Sequence, residues 1–384
     1  MVKSLLRMII KNRWLTITLK NCYEHILYNL PNGFTFNPLS ATLILTYNCN
    51  CRCKMCFYYN ENEMKNTLKI IKDNKDLLLT TDEIMDIIDQ ISDMGVKVLN
   101  LHGGEPFIRK DIIEIIEYAK NKNLIVTITT NGTLINANLA KKLVELDVDW
   151  LNFSIDGPKE IHNKIRGFNA YDKVIEAIGR IQKYKKVLNN DFPKLSVAVT
   201  ISTENENYLY DVVKISHELG VNEVTYMLST YYSKDAPKKT KEILNFNGPK
   251  IKEPGSPILE RDMTNIQPEI ILNEKKKIKE YAKKHGIRVW FPTDDCIKNY
   301  YDLTYNQLNF CIYPWRSFVI SPYGYLYPCI PLAFISYSVG NVRENRMKEI
   351  WNSKEFREFR MKLKKLKLLP ICSKCCMING GELL

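Results

Sequence analysis

The sequence predicts an α/β fold in which strands alternate with helices to build a parallel sheet. Six apolar runs between residues 41 and 228 are separated by helical patterns, and chains of this kind form parallel sheets with right-handed crossovers. The 384 residues are enough for about two or three domains. Hydrophobic residues make up 45% and charged residues 26%, which excludes disordered, collagen-like and coiled-coil proteins.

The order of the elements follows from the hydrophobic pattern. Strands are predicted at 41–47, 96–102, 124–130, 149–156, 194–202 and 221–228, and helices at 80–95, 110–122, 136–147, 171–186 and 206–219. Thr80 and Glu83 form a capping box that begins the first of these helices. Six strands are too few for a closed eight-stranded barrel, so a partial barrel or an open sheet is expected. In either case the ligand site should lie at the carboxyl ends of the strands.

The remaining chain has a different composition. Prolines and lysines are frequent over 229–270 and predict a surface excursion or lid, followed by a basic helix near 271–285. From residue 287 aromatic residues, proline and cysteine dominate, with a β-hairpin predicted at 317–329 and two short helices within 344–367. We therefore divide the chain into segments 1–40, 41–228, 229–286 and 287–384.

The N-terminal segment contains no transmembrane span, because no apolar run in the chain approaches the ~18 residues required. Lys3, Arg7 and Lys11 are spaced four apart and predict one basic stripe on an amphipathic helix. Packing of this helix on the domain is preferred to contact with an anionic membrane surface. The net charge of +12 hints at an anionic partner, but no nucleic-acid-binding motif accompanies the lysines, so no nucleic acid is expected.

The 11 cysteines predict metal ligands rather than disulfides. Their number is odd and no secretory signal is present, which favours a reducing compartment, the cytoplasm. Cys49, Cys53 and Cys56 form a C-x3-C-x2-C motif directly after the first strand. Three soft thiolates can hold three corners of an iron–sulfur cubane and leave one iron open to a ligand. A zinc site would need a fourth ligand, and the nearby stretch offers none that is well spaced.

This motif resembles that of the radical S-adenosylmethionine (SAM) superfamily, in which it also follows the first barrel strand. The family usually has an aromatic residue before the last cysteine, where this chain has Met55, and Cys51 lies at a non-ligand position. The elements LHGGEP, TTNGT, NFSIDG and IHNKIRG follow in the family's order and extend the resemblance over 41–228. It implies a partial (β/α)6 barrel whose cluster, held by the three cysteines, binds SAM. The implied SAM-binding residues are Gly103, Gly104, Glu105, Pro106, Asn131, Ser154 and Arg166.

Glu105 is expected to accept hydrogen bonds from the cofactor's ammonium group, and Arg166 to bind its carboxylate.

The second set of cysteines resembles the C-terminal SPASM/twitch extension of the same superfamily. Cys311 and Cys329 belong to a C-x12-G-x4-C pattern, and Cys372 and Cys375 to a C-x2-C pattern. A complete SPASM domain carries seven cysteines, so these four match the shorter twitch form. The resemblance implies one fully ligated auxiliary [4Fe–4S] cluster, with a four-cysteine zinc ribbon as the alternative. Cys376 is an alternative to Cys375 as a ligand.

Cys296 is the one candidate catalytic residue, as a hydrogen-atom donor. A spare cluster ligand and a structural thiol are the other roles open to it, and we favour the structural one. No further catalytic side chain is identified from the sequence.

The resemblance implies a radical enzyme that cleaves SAM reductively. The resulting 5′-deoxyadenosyl radical would abstract hydrogen from a small-molecule substrate, with net oxidation and the auxiliary cluster as electron acceptor. A ferredoxin or flavodoxin is the expected reducing partner. One alternative is a maturase of a ribosomally made peptide, although a leader-binding module of domain size would not fit into the 40 residues before the first strand. The other is a non-catalytic iron–sulfur electron carrier, which the SAM-binding elements argue against.

Overall fold

The computed structural model describes residues 23–59, 63–246, 251–255, 266–302, 304–305, 310–375 and 381–384. In these residues eleven strands form one sheet in the order β10-β9-β8-β1-β2-β3-β4-β5-β6-β7-β11. The strands are β1 Ser40–Ile44, β2 Val98–His102, β3 Ile125–Thr130, β4 Trp150–Ser154, β5 Lys194–Ile201, β6 Glu223–Leu228, β7 Arg288–Pro292, β8 Ser317–Ile320, β9 Tyr325–Tyr327, β10 Gly340–Asn341 and β11 Gly381–Leu383.

Helices connect and cover these strands. After a helical segment over 23–29, the helices are Met64–Asp73, Thr81–Asp93, Ile112–Asn121, Ala137–Glu145, Lys159–Arg166, Tyr171–Val187, Leu209–Glu218, Ala236–Leu244, Pro268–His285, Asp294–Lys298, Tyr313–Arg316, Ile330–Phe334, Met347–Trp351 and Lys354–Leu366. Short 3-10 turns span Pro31–Gly33, Lys75–Leu77, Pro106–Ile108 and Pro370–Cys372.

The six predicted strands are confirmed as β1 to β6, and each pairs in parallel with the next. The structure adds β7, which is parallel to β6, and β8, which is parallel to β1 on its other side. The sheet is open, because its outermost strands β10 and β11 are not paired with each other in the described residues. The fold is therefore an α/β partial barrel, as predicted.

The predicted capping box is present at the start of the helix Thr81–Asp93. The Thr80 side chain accepts from the Glu83 backbone amide, and the Glu83 carboxylate accepts from the Thr80 amide. Ile84, Ile87 and Ile91 are buried and fix this helix against the sheet. β2 follows this helix and leads directly into the predicted SAM-binding loop.

The C-terminal segment packs on the same sheet as the core. The predicted hairpin is confirmed, since β8 and β9 are antiparallel around a turn that contains Gly324 with φ +82°. The two predicted short helices are also present. Trp315, Phe318, Trp351 and Phe356 are buried in the apolar cluster that also holds residues of β1 to β7. The C-terminal segment thus shares its core with the barrel, and the division at residue 287 remains a prediction.

The predicted basic helix with Lys3, Arg7 and Lys11 lies outside the described residues, as does Cys376, the alternative ligand to Cys375. Within the part of the chain that the structure describes, no helix combines the length and the apolar character needed to cross a bilayer.

Candidate functional site

The loop that follows β1 carries the first cysteine motif and is fixed by the helix Lys159–Arg166. The backbone amide of Arg52 donates to the Arg166 carbonyl at 3.1 Å, and that of Lys54 donates to the Ile165 carbonyl at 3.0 Å. Inside the loop the Cys56 amide donates to the Cys53 carbonyl at 3.0 Å. The three motif cysteines therefore lie on one short loop, whose backbone is hydrogen-bonded to the end of the helix Lys159–Arg166.

The thiols in this loop interact with one another. The backbone amide of Cys51 donates to Cys49 Sγ at 3.3 Å. The pKa of Cys53 is lowered to about 6, first by a hydrogen bond with the Cys51 thiol and then by the positive charge of Arg166. Hydrogen bonding with Cys51 also lowers the pKa of Cys49, whereas burial raises that of Cys56 to about 12.

This donor set fits an iron–sulfur cluster. Thiolates are soft ligands, and N–H groups point at two of them: Asn131 Nδ2 lies 3.9 Å from Cys49 Sγ, and Arg166 Nη1 lies 3.6 Å from Cys53 Sγ. Among the described residues no three His, Cys, Asp or Glu side chains converge on the position of a single metal ion. A cubane binds each thiolate at a different iron, so its ligands do not have to converge on one point.

Arg166 reaches this loop through a buried ion pair. Its Nε and Nη2 lie 2.7 Å and 2.5 Å from Asp156 Oδ2, and Asp156 is fully buried. Asp156 Oδ1 also accepts from the Thr200 amide at 3.2 Å. Although burial lowers the pKa of Arg166, Asp156 and Cys53 raise it, so the guanidinium keeps its charge. Arg166 is thus a fixed positive charge beside Cys53.

The two glycines of the LHGGEP element allow the loop after β2 to lie against the loop after β1. A Cβ on Gly104 would lie 2.3 Å from the Asn48 carbonyl oxygen, and one on Gly103 would lie 2.7 Å from that of Thr46. The Gly104 amide donates to the Thr46 carbonyl at 2.7 Å. The sequence led us to expect close approach to a ligand, and the structure shows close approach between two backbones.

Glu105 lies next in this element and is 1% exposed. Its carboxylate accepts from Thr130 Oγ1 and the Asn131 amide, both at 2.8 Å, and from the Phe107 amide at 3.2 Å. Burial raises the pKa of Glu105 to about 7, and these three donors oppose the shift. The carboxylate therefore joins the end of β2 to the end of β3, beside the buried Pro106.

The other predicted SAM-binding residues lie at the same edge of the sheet. Asn131 Nδ2 donates to Asn50 Oδ1 at 2.9 Å, which connects the end of β3 to the cysteine loop. Ser154 is half-buried at the end of β4. His102, at the end of β2, has its pKa lowered to about 4 by burial, and its Nε2 lies 3.4 Å from Thr129 Oγ1.

The four cysteines of the second set lie in three separate segments of the chain. Cys311 precedes the helix Tyr313–Arg316, Cys329 follows β9, and Cys372 ends a 3-10 turn. The Cys375 amide donates to the Cys372 carbonyl at 3.1 Å. Burial raises the pKa of Cys372 to about 12, and the charge of Cys311 contributes to the same shift, so these two thiols are neighbours.

Cys296 is buried in the helix Asp294–Lys298. Burial raises the pKa of Tyr305, and the charge of Cys296 adds to this shift, so the two side chains are neighbours. Lys374 also lies close to Cys296. Burial lowers the pKa of Lys374, and the charges of Asp302 and Cys296 partly oppose this shift. This packing fits the structural role that we favoured from the sequence.

Sequence reasoning missed one residue of the cysteine loop. Arg52 Nη1 donates to the Cys49 carbonyl at 2.7 Å and the Cys51 carbonyl at 2.8 Å. Its guanidinium also lies 4.4 Å from the centre of the Tyr59 ring. Arg52 therefore stabilises the loop through two hydrogen bonds to its backbone. The only signal of this role in the sequence was the position of Arg52 between two cysteines.

Two family models match the chain. Residues 43–215 match the model of the radical SAM superfamily, and residues 311–376 match SPASM, an iron–sulfur cluster-binding domain. The second match begins at Cys311, the first cysteine of the second set.

Two curated relatives match over most of their own length. An AdoMet-dependent heme synthase of Methanosarcina barkeri is 28% identical over 73% of this chain and 76% of its own. A tungsten-containing aldehyde ferredoxin oxidoreductase cofactor-modifying protein of Pyrococcus furiosus is 26% identical over 88% of each chain. Among solved structures, Streptococcus suis SuiB has a TM-score of 0.61 at 15% identity, over 97% of this chain and 79% of its own. That likeness shows a shared fold.

Proposed function

The chain belongs to the radical SAM superfamily and ends in a SPASM domain, and from this premise we propose that it oxidises a small-molecule substrate. As a radical SAM enzyme it uses a [4Fe–4S] cluster with SAM, and its SPASM domain implies auxiliary iron–sulfur binding. The observation that supports radical chemistry is the cysteine loop, which is hydrogen-bonded to the helix Lys159–Arg166 and flanked by Asn131 and the buried Arg166. The reaction takes place in the cytoplasm, with a ferredoxin or flavodoxin as reductant.

We assign the ligands as the motifs predict. Cys49, Cys53 and Cys56 hold the cluster that binds SAM. Four cysteines hold one auxiliary [4Fe–4S] cluster, namely Cys311, Cys329, Cys372 and Cys375. The residues that bind SAM are Gly103, Gly104, Glu105, Pro106, Asn131, Ser154 and Arg166.

When bound, the cluster held by Cys49, Cys53 and Cys56 would supply radical chemistry together with SAM, and a cluster held by Cys311, Cys329, Cys372 and Cys375 would supply an electron acceptor. The protein residues position and shield these groups. Arg166 supplies a fixed positive charge for a carboxylate, held in place by Asp156. Glu105 accepts three hydrogen bonds that hold the ends of two strands together. A carboxylate has about four acceptor positions, so one remains for the amino group of SAM.

The small-molecule substrate class is supported by the relatives that align over most of their length. The names of these two proteins refer to heme synthesis and to modification of a cofactor. SuiB has also been crystallised with its precursor peptide SuiA, at 16% identity to this chain. A likeness at that level shows the fold and leaves the substrate open, so peptide modification stays the alternative.

The test of this function is metal analysis combined with a cleavage assay. Anaerobically reconstituted protein should hold about eight iron and eight sulfide per chain and release 5′-deoxyadenosine with dithionite. Replacement of Cys49, Cys53 and Cys56 together by Ala should remove about half of the iron and all of the 5′-deoxyadenosine.

The matched control is Cys51→Ala, which removes a thiol from the same loop at the non-ligand position and should keep the iron. Zinc in place of iron, or 5′-deoxyadenosine from the triple variant, would contradict the proposal.

A further inference from the structure

Glu253 has a buried carboxyl group with an unused acceptor. Its side chain belongs to the short segment 251–255 and is 1% exposed. Oε1 accepts from Tyr327 Oη at 2.9 Å. Within the described part of the chain Oε2 makes no hydrogen bond. Buried polar atoms without a partner are rare and cost about 1–3 kcal/mol, so this oxygen calls for an explanation.

A second buried polar atom without a hydrogen bond lies in the same cluster. Tyr323 Oη has no partner among the described residues, and the pKa of Tyr323 is raised by burial and then by the charge of Glu253. The ring of Tyr47 packs against two other tyrosine rings of this cluster. Its centroid lies 5.2 Å from that of Tyr58 and 5.7 Å from that of Tyr323. The two unpaired atoms and these tyrosine rings form one group.

The position of this tyrosine–glutamate group relates it to both cysteine sets. β1 and β8 are parallel neighbours, so the loop after β1 and the turn after β8 leave the same edge of the sheet. Tyr58 lies two residues after Cys56, and Tyr327 lies two residues before Cys329. The group thus occupies the carboxyl edge of the strands, where partial and closed α/β barrels bind their ligands.

The segment that carries Glu253 is held in place. The Glu253 backbone amide donates to Ser336 Oγ at 3.0 Å. A Cβ on Gly255, which has φ +96°, would lie 2.7 Å from Cδ1 of Tyr58, so this backbone lies directly on the tyrosine ring. These contacts fix the carboxylate before any ligand arrives, which is what a specific binding site requires.

A positively charged group would satisfy this oxygen of Glu253. Burial raises the pKa of Glu253, and the hydroxyls of Ser321, Tyr47 and Tyr327 only partly oppose it. Among the described residues no lysine, arginine or histidine contributes to that shift. A buried carboxylate is stable when it is paired with a positive charge. Tyrosine faces also attract ammonium ions, and a carboxylate ringed by aromatic side chains is a typical ammonium site.

We propose that the tyrosine–glutamate group binds an ammonium group of the substrate, with Glu253 Oε2 and Tyr323 Oη as its acceptors. The substrate class is then a primary amine, placed between the two cysteine sets. This inference rests on the proposed function, because it places the substrate where radical chemistry would reach it.

The test uses n-propylammonium chloride as a probe on the reconstituted full-length protein with SAM bound. Near-ultraviolet circular dichroism of the tyrosines reports binding, with 1-propanol and propionate as the neutral and anionic probes. We expect a saturable change with propylammonium only. Glu253→Gln should weaken that binding about tenfold or more, since a charge-assisted bond is lost. Tyr323→Phe, which keeps the ring, should weaken it about fivefold.

The matched control is Glu206→Gln, which changes a buried carboxylate whose Oε2 already accepts from the Gln267 amide at 2.9 Å. It should bind propylammonium as the wild type does. Equal binding by Glu253→Gln, or an equal response to 1-propanol, would overturn the ammonium site. Iron content and 5′-deoxyadenosine release are measured on the same samples, so failure of the proposed function would be seen separately.

Discussion

Arg166 shows how one residue can serve two neighbours. Its guanidinium is paired with the fully buried Asp156 and points a third nitrogen at Cys53. The motif IHNKIRG predicted that Arg166 binds the carboxylate of SAM. The sequence did not predict that Arg166 would form an ion pair with Asp156. Because both charges are out of water, each depends on the other, and removal of one leaves the second uncompensated.

Asp156→Asn should therefore destabilise the protein by about 3 kcal/mol, because it leaves the buried Arg166 without its counter-charge. Urea unfolding under anaerobic conditions measures the loss. The matched control is Asp172→Asn, whose carboxylate pairs with Lys159 at the surface and should hardly change the unfolding midpoint. Equal effects of the two variants would mean that the buried pair contributes no more than the exposed one.

At the scale of elements, the site depends on the contact between two loops. The loop after β1 carries the cysteines, and the loop after β2 lies against it through Gly103 and Gly104. The Glu105 amide donates to the Asn48 carbonyl at 2.9 Å, so the contact is also hydrogen-bonded. Backbone atoms cannot move aside as a flexible side chain can, and a methyl group at this contact must displace the cysteine loop.

Gly104→Ala should reduce the iron retained per chain and lower stability by about 1–3 kcal/mol, because its Cβ would meet the Asn48 carbonyl oxygen. Iron analysis after reconstitution and thermal unfolding measure the two effects. The matched control is Gly179→Ala in the helix Tyr171–Val187, where a Cβ meets nothing within 4 Å. That change should stabilise by about 0.5–1 kcal/mol through helix propensity. Full iron in Gly104→Ala would show that the loop tolerates displacement.

At the scale of the whole molecule, local patterns were predictable and distant pairings were not. Strands β1 to β6 were predicted because buried parallel strands appear as continuous apolar runs, as in β5. β8 pairs with β1 although 277 positions separate Ser40 from Ser317, and no local pattern specifies such a partner. The tyrosine–glutamate group joins residues from three distant segments, so it forms no motif.

The C-terminal segment shares its apolar core with the barrel, and this affects how strongly its folding should depend on the auxiliary cluster. A metal site often stabilises a small extension that has little core of its own. Here β8 lies between β1 and β9, and Trp315, Phe318 and Trp351 belong to the main apolar cluster. Side chains of this kind each bury enough apolar surface for several kcal/mol, so packing alone should hold the extension.

Replacement of Cys311 and Cys329 together by Ala should therefore leave a folded protein with about half of the iron. It should release 5′-deoxyadenosine with dithionite at the wild-type rate, because the cysteine loop after β1 is untouched. If the proposed oxidation is correct, it should be lost in this variant, since the electron that the substrate would give up has no acceptor. Circular dichroism, proteolysis, iron analysis and product assays measure these outcomes. Full iron in this variant would mean that Cys311 and Cys329 are not ligands. Normal oxidation with half of the iron would mean that the auxiliary cluster only stabilises the fold.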